Sequence, residues 1–215
     1  MKFPFFASFV IFIFVLQHNI RKGKKSSEQA ESEFWKRESS ANDVRRQSLE
    51  DLAYITFNAE PFFPVNLLDA ANCPEFLSNN QEVKEILSRF LFLEQQKIVN
   101  LTQYTNTDLK YKYGVANLPT LTEYDSNYNE LITLLHSYGT ILEKEGYETQ
   151  ALSVLEYAIS VGSDISSTYT LCAKIYENNQ QWEKIEWLKN EAEIISTSRK
   201  DSIVRKLQEF GPCNG

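Results

Sequence analysis

The chain has 215 residues, of which 42% are hydrophobic and 24% are charged, a balance typical of one globular domain with an appendage. The formal net charge is −7, but the first 25 residues contain five basic side chains and no acid, which leaves −12 on residues 26–215. Such an acidic body argues against nucleic-acid binding, because that affinity depends on Lys and Arg neutralising phosphates.

Three widely spaced cysteines, Cys73, Cys172 and Cys213, form no CxxC pair and have no histidine partners, so we expect reduced cytosolic thiols. Only two histidines and no Gly-rich phosphate loop are present. We therefore expect that the chain is not an enzyme and that it binds neither a cofactor nor a metal ion. The alternative is an enzyme whose closed pocket contains converging titratable groups.

The N-terminus begins with the apolar run FPFFASFVIFIFVL, from Phe3 to Leu16. As a helix extended to Ile20 it would reach about 27 Å at ~1.5 Å per residue, close to the ~30 Å of a hydrocarbon core. The run leads into RKGKK, whereas a signal peptide ends in small residues. We predict a transmembrane anchor over 1–20 in the cell membrane, with the rest of the chain cytoplasmic. A cleaved signal peptide is the alternative.

A basic juxtamembrane segment and a solvated helical stalk are predicted over 21–48, where charges recur at helical spacing without a wide apolar stripe. Phe34 and Trp35 are its only large apolar pair. The chain up to residue 80 contains prolines and aromatic residues, which predicts an irregular segment with buried rings. A short strand over 53–57 is the alternative there.

Capping helices are predicted in the remaining part of residues 49–126. Apolar residues at helical spacing from Gln81 to Tyr104 predict the longest helix of the body. A short helix is expected with Asn106 or Thr107 as its N-cap and Gly114 at its C-terminal end.

The stretch YGTILEKEGYETQALSVLEYAI, from Tyr138 to Ile159, predicts two helices around a glycine. Small and apolar residues return 34 positions later, which is the period of a tetratricopeptide repeat. We call this spacing the repeat period. The returning pairs are Leu135 and Tyr169, Gly139 and Ala173, Leu142 and Tyr176, and Ala158 and Ala192. Because Lys189 stands where Leu155 would return, we predict two degenerate TPR-like units over 127–196. An unrelated pair of helical hairpins is the alternative.

Two such units need flanking helices, since about three or more repeats are usually required to complete a core. An amphipathic segment that begins at Ser198 and stops at Gly211 predicts a C-terminal capping helix and tail over 197–215. The helix from Gln81 would cap the other end. The predicted fold class is all-α, with an N-terminal transmembrane helix followed by a TPR-like α-α superhelical domain with capping helices.

In this architecture the first helices of the units line a concave side. The predicted partner-binding groove consists of polar residues of both charge signs: Thr133, His136, Thr140, Glu143, Ser167, Thr170, Lys174 and Glu177. Mixed polarity suits a protein or peptide partner, and a merely solvated face is the alternative. We expect no nucleic acid and no small-molecule substrate.

Four segments carry a family resemblance: FWKRESSANDVRR, KIVNLTQYTNTDLKYKYGVANLPTLTEYDSNYNELI, VLEYAISVGSDIS and DSIVRKLQE. Together with the hydrophobic N-terminus, they resemble an uncharacterised family of bacterial single-pass membrane proteins with tetratricopeptide-like C-terminal halves. The resemblance covers nearly the whole chain and implies an anchor, a cytoplasmic body and helical repeats, without catalytic or cofactor residues. The expected function is a membrane-anchored scaffold for protein–protein interaction. The alternative is an exported TPR-like binding protein with a cleaved signal peptide.

Overall fold

The computed structural model describes residues 4–62 and 80–211, and its regular structure in these ranges is helical. The α-helices are α1 Pro4–Asn42, α2 Gln81–Leu93, α3 Asn106–Tyr113, α4 Leu118–Lys144, α5 Glu148–Ser160, α6 Ser166–Asn178, α7 Trp182–Ile194 and α8 Lys200–Leu207. Two 3-10 turns are Glu60–Phe62 and Val115–Asn117. The predicted all-α class is confirmed.

The chain divides into two compact units. The first contains residues 1–48 and 105–118, and the second contains residues 49–104 and 119–215. The helix α4 begins at Leu118 and continues without a break to Lys144, across residue 126.

In the first unit, α1 is continuous from Pro4 to Asn42, so the predicted stalk is helical as far as Asn42. Phe34 and Trp35 are exposed, and their rings meet edge to face with centroids 5.4 Å apart. In the part of the chain that the structure describes, no helix is both long and apolar enough to cross a membrane. Most side chains of the predicted anchor over 1–20 lie outside the described residues.

The end of α1 packs against α3 within the same unit. Ala41 is fully buried there, Arg37 forms an ion pair with Asp108 at 2.5 Å, and Glu38 binds Lys110. These contacts hold the two helices together through charge-assisted hydrogen bonds.

The helix α3 begins one residue earlier than predicted. Thr105 is its N-cap, rather than Asn106 or Thr107, because its side chain accepts a hydrogen bond from the Asp108 amide while the Asp108 carboxylate accepts one from the Thr105 amide. This is a capping box, and it satisfies two main-chain donors reciprocally. Gly114 ends the helix, as the sequence predicts.

In the second unit, the single helix expected from Gln81 to Tyr104 is wrong in its second half. The helix α2 is followed by an extended segment, in which Val99 forms an isolated antiparallel bridge with Tyr54. The Ile55 amide also donates to the Ile98 carbonyl at 2.9 Å. Main-chain pairing with Tyr54 and Ile55 therefore overrides the helical pattern, although Ile98 is buried as that pattern requires.

The alternative of a short strand over 53–57 is reduced to this one bridge. The predicted burial of aromatic rings is correct for Phe57 and Phe62. Their rings stack 5.9 Å apart, and both lie within 6.2 Å of Phe90 on α2. Tyr138 of α4 donates its hydroxyl to the Phe62 carbonyl at 3.1 Å. Residues 63–79 lie outside the described residues.

The pairs α4–α5 and α6–α7 share one spacing. The helix α7 begins and ends one repeat period after α5, and the end of α6 follows the end of α4 by the same period. The turns repeat as well: Gly146 has φ of 82°, and Gln180, one repeat period later, has φ of 56°. Equivalent amides donate at equal distances: Gly146 to Glu143 and Gln180 to Glu177 at 3.0 Å, and Tyr147 to Leu142 and Gln181 to Tyr176 at 2.8 Å.

The helices α4 and α5 cross closely at Gly139. A Cβ atom there would lie 2.6 Å from both Cγ and Cδ2 of Leu155, which is fully buried. The four pairs of residues that return after one repeat period are all buried. The spacing in the sequence therefore corresponds to equivalent packing positions.

Flanking helices complete the core at both ends of the second unit. Val83 and Phe90 of α2 belong to the same buried cluster as Leu135 of α4. At the other end, Ile203 and Leu207 of α8 are fully buried in a cluster with α6 and α7. The helices α2 and α8 therefore both contribute residues to buried clusters of the second unit.

Two buried tyrosines hold the turn between α5 and α6. Tyr128 donates its hydroxyl to the Gly162 carbonyl at 2.7 Å, and Tyr169 donates to the Ser163 carbonyl at 3.0 Å. Burial raises the pKa of both phenols, which remain donors at physiological pH. Two carbonyls of the turn that follows α5 thus have hydrogen-bond partners.

Substitutions at the two turn residues with positive φ, Gly146 and Gln180, are expected to change the stability in opposite directions. Gly146→Ala should lower the free energy of unfolding by about 1 kcal/mol, since L-residues are disfavoured at positive φ. Gln180→Gly should raise it by about 0.5–1 kcal/mol by relieving the same penalty. Urea denaturation of the intact chain in detergent, followed by circular dichroism, measures both. No atom lies within 4 Å of a Cβ at Gly146, so sterics do not contribute, and effects of equal sign would contradict the prediction.

The close crossing predicts that Gly139→Ala destabilises the protein, although alanine is the better helix former. We expect a loss of about 1–3 kcal/mol from overpacking against Leu155. In a Leu155→Ala background the same substitution should become neutral or stabilising, because the clashing atoms are gone. A double-mutant cycle measures this coupling, and strictly additive effects would rule out the steric cause.

Candidate partner-binding face

The eight residues of the predicted groove lie on two helices of the second unit. Thr133, His136, Thr140 and Glu143 are on α4, and Ser167, Thr170, Lys174 and Glu177 are on α6. We call this surface the α4/α6 face.

Two contacts join the helices across this face. The His136 Nε2 atom lies 3.0 Å from the Ser167 hydroxyl, and the Lys174 ammonium donates to Glu143 at 3.0 Å. Both pairs have the same separation in sequence, and the second pair lies two helical turns further along each helix. The structure thus aligns the two helices side by side in one register.

Three threonines of the face are bonded within their own helices. The hydroxyls of Thr133 and Thr140 donate to the carbonyls of Asn129 and His136, at 2.7 and 2.8 Å. Thr170 donates to the Ser167 carbonyl at 3.3 Å. This leaves their methyl groups as surface that a partner can contact.

Glu177 differs from the other predicted residues. Its carboxylate accepts a hydrogen bond from the Gly211 amide at 3.4 Å, so it is engaged by the segment after α8. It does not bridge α4 to α6.

Thr168, which is fully buried on α6, was not among the predicted residues. Its hydroxyl lies 3.2 Å from Nδ1 of His136, so both ring nitrogens contact hydroxyl groups. The repeat period aligns Thr168 with Leu134, a position expected to be apolar, and no sequence signal marks it as a partner of His136. Burial lowers the pKa of His136, which favours the neutral ring.

The pair of Ser167 and His136 has the atoms of a nucleophile and a base, but its surroundings differ from those of a catalytic triad. In a triad a carboxylate binds Nδ1 and orients the ring. Here the Thr168 hydroxyl occupies that position. Within the described ranges, no three His, Cys, Asp or Glu side chains are grouped to hold a metal ion. The contacts of His136 serve to join two helices.

The charge on the face is small and mixed. Lys174 is 58% exposed, whereas Glu143 is only 20% exposed, so the cation is the more accessible member of the pair. Exposed pairs of this kind contribute about 0–1 kcal/mol to stability, so a partner can replace them at little cost.

Comparisons of the chain with protein-family models, with curated proteins and with solved structures found no match.

His136 predicts a pH dependence of stability. Its folded pKa lies below the ordinary value of ~6.5, so the unfolded chain binds the proton more readily. The stabilisation by the neutral ring should be complete above about pH 6.5 and should be lost as the pH falls through the lowered folded pKa.

Urea denaturation between pH 5 and pH 8 gives the free energy of unfolding of the native chain and of His136→Gln. The difference between the two curves isolates the effect of His136, because the contributions of the carboxylates are common to both and cancel. A His136→Gln curve parallel to the native one would refute the assignment.

Proposed function

We propose that the chain is a scaffold anchored in the cell membrane by its N-terminus, whose cytoplasmic tetratricopeptide-like units bind a protein partner on the α4/α6 face. The observation that carries the proposal is the recurrence, after one repeat period, of helix bounds, turn hydrogen bonds and left-handed turn residues. Two unrelated hairpins have no physical reason to share all three. Paired helices that recur with this period are the property of tetratricopeptide repeats.

The close crossing at Gly139 supports the same proposal. Helices of such a unit approach each other where a small residue stands, and the Cβ position of Gly139 lies within 2.6 Å of Leu155 atoms. At the equivalent position of the next unit Ala173 is fully buried. Repeats of this kind stack their first helices side by side and bind partners there. The contacts from α4 to α6 agree with that arrangement.

The anchor is proposed from the sequence. The apolar run from Phe3 to Leu16 and the basic residues Arg21–Lys25 together favour a membrane span with the body on the cytoplasmic side. The unbroken helix through this basic stretch also favours an uncleaved chain, since no extended exit segment follows the run. Tethering raises the local concentration of a binding face, so weak contacts suffice for occupancy.

A photoreactive residue at Thr133, introduced in intact cells, tests the proposal. We expect a crosslinked adduct in the membrane fraction, because Thr133 is exposed on the α4/α6 face. The same residue placed at Asn190, which is exposed on α7, should give no comparable adduct. Mass spectrometry of the adduct identifies the partner and the contacted segment.

Matched variants show whether the face itself is responsible. Combining His136→Ala with Lys174→Ala should reduce the adduct at least tenfold, whereas Lys184→Ala should not. Lys184 is a fair control because it forms an ion pair of the same 3.0 Å length with Glu156 and is 50% exposed, but lies on α7. Equal adducts from both positions, or recovery unaffected by the double variant, would reject the face. An adduct lacking the first residues of the chain would favour the exported alternative.

A further inference from the structure

A cleft of about 470 Å³ lies in the second unit, away from the residues of the α4/α6 face. One wall is formed by the C-terminal ends of α5 and α7, and the other includes Ala53, Ile55 and the segment around Asn100–Gln103. We call it the helix-end cleft. Its volume falls within the ~300–1,000 Å³ of typical ligand sites.

Glu191 of α7 lines this cleft and is half-buried. Nine carboxylates in the described ranges are half-buried, and Glu191 is the one that makes no hydrogen bond or ion pair with any described residue. The eight others are bonded: Glu38, Asp108, Asp125, Glu130, Glu143, Glu156, Asp164 and Glu177. A partly desolvated charge without a counterion is unfavourable, and a cation would compensate for it.

The nearby basic side chains are already paired. Arg199 binds Asp164 at 3.4 Å, and Lys200 binds Glu193 at 2.8 Å. The charge of Glu191 therefore acts inside the helix-end cleft without a counterion from the described residues. It also contributes to the raised pKa of Tyr169, which lines the same cleft.

Two helix ends add to the negative potential. The helices α5 and α7 end at Ser160 and Ile194, and both residues line the cleft. Their main-chain carbonyls accept no hydrogen bond from the described residues. The C-terminus of a helix carries about half a negative charge and favours cations.

The remaining lining is apolar. Ile55, Ile159 and Ile195 provide aliphatic surface inside, and Ile194 is 73% exposed at the edge. A long aliphatic stem that ends in a positive charge matches such a site, because the stem packs on apolar atoms while its head meets the carboxylate. Lysine and arginine side chains have this construction.

We propose that the helix-end cleft receives a lysine or arginine side chain from an extended segment of the partner protein. This rests on the proposed function, because it names the chemistry of the protein that the scaffold binds. Charge complementarity supports this occupant: the second unit contains 11 basic and 23 acidic residues, a net charge of −12, which attracts basic segments.

The test uses a fluorescein-labelled peptide, Ser-Ile-Lys-Ile-Ser, and fluorescence anisotropy with the intact chain in detergent. We expect saturable binding that weakens as salt is raised. Replacing the peptide lysine by norleucine, which keeps the stem and removes the charge, should weaken binding about tenfold or more. Binding of the norleucine peptide with equal affinity would overturn the proposal.

Variants of the protein locate the site. Glu191→Gln should weaken binding of the lysine peptide about tenfold, without lowering the melting temperature, because the carboxylate has no bonded partner to lose. The matched control is Glu183→Gln, which is exposed in the first turn of α7 and should bind normally. Unchanged binding by Glu191→Gln would refute the site. Equal affinity for N-acetyl-lysine methylamide would refute an extended segment as the occupant.

The combined His136→Ala and Lys174→Ala variant separates this inference from the proposed function. It should lose the crosslinked partner in cells yet keep peptide binding in the helix-end cleft. Loss of peptide binding in that variant would contradict the inference that the α4/α6 face and the helix-end cleft bind independently.

Discussion

The close crossing of α4 and α5 at Gly139 is the constraint on which the second unit depends. Leu155 packs directly against the main chain there, and a single added methyl group would overlap its side-chain atoms. Because α5 is held so near to α4, the chain that leaves α5 can return beside α4 as α6. The alignment of His136 with Ser167 and of Glu143 with Lys174 follows from this geometry. A larger residue at position 139 would separate the helices and shift the register of both contacts.

The turn that makes this return is held by hydrogen bonds to its carbonyl oxygens. Tyr128 comes from α4 and Tyr169 from α6, and their hydroxyls bind the adjacent carbonyls of Gly162 and Ser163. A buried turn carbonyl without a partner would be an unsatisfied acceptor at a cost of ~1–3 kcal/mol. Tyrosine satisfies this need with a ring that also fills the core. The turn is therefore held by side chains from both neighbouring helices.

The sequence predicted the helices best where local signals agreed with tertiary packing. Gly114 and Gly146 end helices as expected, and the repeat period corresponds to equivalent buried positions. It failed where a tertiary contact opposed the local pattern: residues around Val99 follow a helical period, yet they pair with Tyr54. The left-handed Gln180 was unforeseen as well, because its conformation is imposed by the repeated turn. For the α4/α6 face, periodicity indicated the helices but not which hydroxyl groups contact His136.

The two surfaces of the second unit differ in what they offer a partner. On the α4/α6 face, polar groups are already bonded to one another, so a partner exchanges contacts and gains mainly from shape and from the methyl groups of the threonines. In the helix-end cleft, Glu191 and two helix ends are uncompensated among the described residues, so a cation gains interaction energy without breaking an existing bond. A face whose polar groups can exchange one hydrogen-bond partner for another favours binding of many different sequences. An uncompensated charge in a partly apolar cleft favours one kind of side chain. If the proposed function holds, the partner would lie along α4 and α6, and one basic side chain would select which of its segments is accepted.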